Sequence, residues 1–118
     1  MNTQELLSNL NQFTGTEKYY RITHHHLLTD GTKYLAEQAE CYWLMTAIAS
    51  HLPKQFHDYF AVVNLTVKDS AAQLTLDDGN GNVFAQQFIE YTDFPLPELK
   101  LYCAFDGEYW VLMLPSEY

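Results

Sequence analysis

The chain has 118 residues, a length that suits one domain, and its 47% hydrophobic and 15% aromatic content excludes a disordered polar chain. Six Lys+Arg stand against fifteen Asp+Glu, a net charge of −9, and the excess is uneven: residues 58–118 carry two lysines against ten carboxylates, whereas residues 1–57 carry four cations against five. Such a balance repels nucleic acid, favours a partner with a basic surface, and also serves solubility.

The opening stretch MNTQELLSNL has neither the basic nor the apolar segment of a secretory signal. No apolar run approaches the roughly 18 residues of a membrane span. A cytoplasmic protein without membrane contact is therefore expected, with Cys41 and Cys103 as free buried thiols. Asn2 or Thr3 can cap a first short helix whose Leu6, Leu7, Leu10 and Phe13 share one side, and Gly15 is expected to end it. Tyr19, Tyr20 and Ile22 then begin an extended piece. The next stretch, LLTDGTKYLAEQAECYWLMTAIASHLP, predicts one long helix capped by Asp30 or Thr32 and stopped by Pro53. Leu35, Ala39, Tyr42, Met45, Ala49 and Leu52 step by three or four, and Cys41, Leu44 and Ile48 widen the apolar stripe. Lys33 and Glu37 form an i,i+4 pair on the other side.

The remainder reads as five strands, at 59–67, 71–77, 82–91, 99–105 and 108–115, rich in β-branched and aromatic residues and separated by short links with Asp-Gly and Asn-Gly signals. Short links between consecutive strands predict antiparallel neighbours. Ala61, Val63, Leu65 and Val67, then Ala72, Leu74 and Leu76, then Leu99, Leu101, Cys103 and Phe105 alternate onto one face. The last strand is apolar on both sides, which makes it central or covered. The expected fold is a single α+β domain over residues 1–118: a two-layer sandwich, with N-terminal helices packed on a five-stranded antiparallel meander.

The segments FTGTEKYYR, LLTDGTKYLAEQAECYWLMTAIAS, DGNGNVFAQQFIEYTDFPL and the terminal LPSEY resemble, over nearly the whole chain, a family of small bacterial proteins known only as a domain of unknown function. The resemblance implies a setting rather than a chemistry. Members are carried on plasmids, prophages and other mobile elements, where small acidic proteins inhibit host defence. It lends no catalytic residues, and it implies that the triplet His24–His25–His26 is peripheral.

The residues offer few reactive constellations. In an extended segment His24 and His26 face one way and His25 the other, but zinc needs a third and usually a fourth ligand, and no CxxC, HxxxH or HExxH spacing supplies them. The triplet is read as a wet, extended connection between the two helices, with no metal or cofactor. Asp78, Asn80 and Asn82 mimic the start of a calcium loop, yet Val83 and Ile89 stand where it needs Gly and Glu. A hairpin turn with Gly79 and Gly81 at positive φ explains them. Cys41 with His51 or His57 as a thiol–imidazole pair is weakened by the apolar setting of the thiol. A small hydrolase or nuclease using His24, His25 and His26 with Arg21 or Lys18 is the alternative enzymatic reading. The main expectation is a non-catalytic protein-binding module of a mobile element or phage. It would act like an anti-CRISPR inhibitor, occluding the basic nucleic-acid-binding surface of a host nuclease complex. The candidate partner-binding residues are Asp93, Glu98, Asp106, Glu108, Tyr109, Glu117 and Tyr118, rings beside carboxylates near the last loops and the end. Trp110 and Phe94 are expected in the core, Glu117 and Tyr118 outside it. A third reading is a homodimer joined through an exposed strand edge.

Overall fold

A computed structural model describes residues 2–53 and 59–118. The first helix, α1, runs Thr3–Leu10, and Asn2 caps it by accepting the Glu5 N–H at 2.8 Å. It ends four residues before Gly15 is reached, with Asn11 as its C-cap. Two short strands follow where a wet connection was expected: β1, Tyr20–Thr23, and β2, His26–Leu28, paired antiparallel.

The expected long helix is two helices, α2 over Asp30–Gln38 and α3 over Tyr42–Ser50. The break is a Schellman ending built without glycine. Glu40 adopts φ +50°, its N–H reaches Glu37 O, and the Cys41 N–H reaches Ala36 O at 2.9 Å. The turn brings Leu35, Ala36, Cys41, Leu44, Met45 and Ile48 into one core, which a straight rod would spread along the sheet. Thr29, rather than Asp30 or Thr32, caps α2, in a reciprocal box with Thr32. The Lys33–Glu37 pair forms as expected, at 3.1 Å.

The later strands are β3 (Phe60–Lys68), β4 (Ala71–Asp77), β5 (Val83–Ile89), β6 (Glu98–Phe105) and β7 (Trp110–Met113), ending in a 3₁₀ turn at Pro115–Glu117. All seven strands form one sheet in the order β1-β2-β7-β6-β3-β4-β5. The five-stranded meander therefore needs correcting in two ways. First, β2 joins β7 in parallel, so the sheet is mixed and two strands wider. Second, only β3-β4-β5 meander. The 90–97 connection carries the chain back past β4, and β6 pairs with β3. That connection is part of the core, since Phe94 and Leu96 are buried and Thr92 N–H and Pro97 O bond the ends of the sheet. A central place beside β3 buries Leu101 and Cys103 against Ala61 and Val63, which an edge place beside β5 would leave half in water.

The β3–β4 hairpin turns on Asp69 and Ser70, both at positive φ, the backbone of a type I′ turn. Gly79 and Gly81 also take positive φ, at 87° and 88°, in the β4–β5 turn. There the Asp78 carboxylate accepts from Asn80 N–H, Asn82 N–H and the Asn82 amide, so the calcium-like pattern is a self-satisfied turn. The helices pack on the sheet face that carries Ala61, Val63, Leu65, Leu74, Leu101 and Leu112. The opposite face carries Phe60, Val62, Asn64, Lys100 and Tyr102, and none of these is buried. Among the described residues no second layer covers that face.

Candidate functional site

At the histidine triplet, too, structure and expectation part. His26 is 8% exposed, and both ring nitrogens are engaged. Nε2 lies 2.9 Å from the Leu52 carbonyl, which can only accept, so Nε2 carries the proton. Nδ1 then accepts from the Thr23 hydroxyl, whose oxygen in turn accepts the His25 N–H. Burial holds the His26 pKa below its ordinary value, so the ring stays neutral. This histidine is an internal strut tying β2 to the end of α3. The Arg21 guanidinium donates to the Tyr109 hydroxyl at 3.0 Å and leans over its ring. Among the described residues no group of three or more His, Cys, Asp or Glu could hold a metal ion. Cys41 and Cys103 are free and buried, and burial raises both thiols, Cys41 to about 12. His57, the second imagined partner of Cys41, lies outside the described residues.

The seven expected partner-binding residues do not converge. Asp106, Glu108 and Tyr109 occupy the β6–β7 hairpin, where the Asp106 carboxylate accepts the backbone N–H of Glu108 and Tyr109. Glu98 begins β6 and Asp93 precedes it, so both lie at the other end of the sheet, roughly 25 Å away along an eight-residue strand. Glu117, expected outside, is half-buried and internal. Its carboxylate accepts from Thr29 Oγ1 at 2.6 Å, Gly31 N–H at 3.0 Å and Leu114 N–H at 2.9 Å, closing the N-terminus of α2 onto the chain end. A Cβ on Gly31 would sit 2.5 Å from the same carboxylate and 2.6 Å from Leu114 Cδ1, so a side chain there would displace the carboxylate from this position. Trp110 and Phe94 are buried as expected, and Trp110 Nε1 donates to Pro53 O.

Glu117 matters because it sets the course of Tyr118. The 3₁₀ turn carries the last residue over the open face, where its ring meets Phe60 at 5.2 Å and Tyr102 at 5.5 Å. Phe60 and Tyr102 are themselves 5.2 Å apart. Tyr118 meets both rings edge-to-face, while Phe60 and Tyr102 are tilted at 58° to each other, and Tyr118 stays 74% exposed. They border a shallow basin of about 470 Å³ whose polar lining includes Asn64, Asp77 and Lys100. A larger apolar cleft of about 640 Å³ meets it at Asn64 and Lys100, runs past Leu7, Leu99 and Leu114, and carries Glu98 on its lining. Of the seven expected residues, Tyr118 lies on the basin. Asp106 and Glu108 lie in the hairpin that follows the strand contributing Tyr102. Phe60, Tyr102 and Asp77 were missed, although the alternation that puts Ala61 and Cys103 inward sends Phe60 and Tyr102 to the polar side. Aromatic residues on the solvated face of a strand were the available signal.

Among the described residues no helix is long and apolar enough to cross a membrane. No curated protein matches the chain. A crystal structure of a protein of unknown function from Enterococcus faecalis is similar at a TM-score of 0.49 and 12% identity, covering 83% of this chain and 93% of that one. Residues 4–118 match the model of a family of unknown function, DUF6876, and the chain belongs to that family.

Proposed function

We propose that this chain is a non-catalytic protein-binding module that receives a basic surface of its partner on the open face of the sheet. The observation that carries the reading is the ring cluster of Phe60, Tyr102 and Tyr118, held on a face that no other layer covers among the described residues, with Asp77 and Lys100 on the lining of the same basin. Rings of this kind supply contact area at little entropic cost, and carboxylates around them select arginine and lysine. In its most specific form the partner is a host defence nuclease complex. The chain, carried by a mobile element in a bacterial cytoplasm, occludes the complex's nucleic-acid-binding surface with carboxylates standing in for phosphates. The net charge of −9 supports that form. The histidine-centred hydrolase is weakened at His26, whose ring is committed to Thr23 and Leu52.

The test is capture of host nucleic-acid-binding complexes on the immobilised chain at low salt, followed by measurement of DNA or RNA binding by the captured complex. Blocked nucleic-acid binding, release as salt rises, and a drop of about 30-fold or more in affinity for Tyr118→Ala or Tyr102→Ala are expected. Complexes whose nucleic-acid binding is untouched, or capture indifferent to both substitutions, would remove the reading.

A further inference from the structure

The sheet has two edges, and they are built differently. At one, β1 is four residues long, irregular between Arg21 and Thr23, and carries a charge. These are the devices by which natural sheets discourage edge pairing. At the other edge β5 is seven residues long, VFAQQFI, with no charge, proline or glycine, in a chain of net charge −9. It pairs with β4 alone among the described residues. Val83 is 53% and Phe88 63% exposed, and Gln86 is exposed between them. Its one irregularity, opposite Leu76 and Asp77, lies at its start and leaves the run from Ala85 onward regular.

The sequence of this strand is nearly its own mirror: read outward from Gln86, Phe84 and Phe88 stand two positions away on either side, and Val83 and Ile89 three. An antiparallel partner related by a two-fold axis sets residue i opposite residue j and j opposite i, so the near mirror places like residues, Phe with Phe and Val with Ile, across the pair. We propose that β5 pairs with β5 of a second copy about an axis at Gln86, making a continuous sheet with the helices of both copies on one side. Gln86 meets Gln86, Phe88 lies opposite Phe84 of the other copy, and Ala85 opposite Gln87. Glu90 falls opposite Asn82, so no carboxylate of one copy directly faces a carboxylate of the other across the pair. The pairing leaves the Phe60–Tyr102–Tyr118 cluster uncovered, so it stands or falls separately from the proposed docking function.

The test is the mass in solution. The unmodified chain should rise from 13.7 kDa toward twice that value as concentration reaches about 100 µM, the range suited to a small edge-to-edge contact. A mass that stays at one chain through that range overturns the proposal. Gln86→Glu and Gln86→Lys, both at an exposed position, should each be monomeric alone, because like charges meet at the axis. Mixed together they should restore the dimer. Two variants that dimerise as well as the parent overturn the proposal. Gln86→Cys gives a second readout: under oxidation it should cross-link at least tenfold faster than Asn80→Cys on the adjacent turn, with Cys41 and Cys103 buried and silent. Equal rates contradict the axis.

Discussion

Replacing Glu117 by alanine tests how the chain end is held. The substitution removes one acceptor group from three donors: the Thr29 hydroxyl, the Gly31 N–H in the first turn of α2, and the Leu114 N–H. A hydrogen bond to a charged group contributes roughly 1.5–3 kcal/mol. Three bonds to one half-buried carboxylate are not additive, and water re-solvates part of the loss. The expected cost is about 2–4 kcal/mol, more than a single lost helix cap because three donors lose a charged acceptor. For a domain of this size each kcal/mol lowers the midpoint by about 4 °C, so thermal unfolding should fall by roughly 8–16 °C. Calorimetry or circular dichroism measures it. Glu98→Ala, an exposed carboxylate on the same sheet, should change stability by no more than about 0.5 kcal/mol. A Glu117→Ala midpoint within about 2 °C of the parent would refute the reasoning, and Glu117 would return to the set of surface carboxylates open to a partner.

His26 predicts an acid-sensitive fold. Its folded pKa is lowered, so its contribution is complete above the unfolded value of about 6.5 and is lost as pH falls from there through the folded value. Urea midpoints between pH 7.5 and 5 should decline in the parent and flatten in His26→Gln, and identical slopes would remove the strut. Asp30, Asp78 and Asp106, held low chiefly by the Glu17 N–H, the Asn82 side chain and the Tyr109 N–H, lose their contribution in a separate, more acidic window, as pH falls below the ordinary carboxyl value of 3.8. Cys41, pushed up to about 12 and fully buried, should resist alkylation at pH 8 until urea unfolds the chain, and rapid native labelling would contradict its burial. Glu40→Gly should stabilise by about 1 kcal/mol, because an L side chain at φ +50° is strained where glycine is not. A loss measured in denaturant would show that the Glu40 side chain offsets that strain.

The strands that repeat with period two over seven or more residues were legible, because alternation fixes both conformation and inward face. β3, β4 and β6 fall within two residues of their expected ends. What failed were features whose signal is not local. The break between α2 and α3 uses Glu40 where glycine would have announced it. The strands β1 and β2 have four and three residues, too few to display a period, and their pairing depends on β7 far along the chain. The return of β6 to β3 was hidden by a link that looked like a loop, although buried Phe94 and Leu96 in TDFPLP are the residues of a packed segment. The same holds for the site. Tyr118 is exposed as expected, but Glu117 beside it has the composition of a surface and the partners of a cap. Phe60 and Tyr102 join the cluster only because β3 and β6 are neighbours.

The docking face is tested most directly by backbone hydrogen exchange on the chain, alone and bound to a captured nucleic-acid-binding complex. Binding on the open face predicts new protection confined to the ends of β3 and β6 around Phe60 and Tyr102, the β4–β5 turn and the terminal 3₁₀ turn leading to Tyr118. Protection over α2 and α3 or around His24–His26, with the ring cluster unchanged, would contradict it.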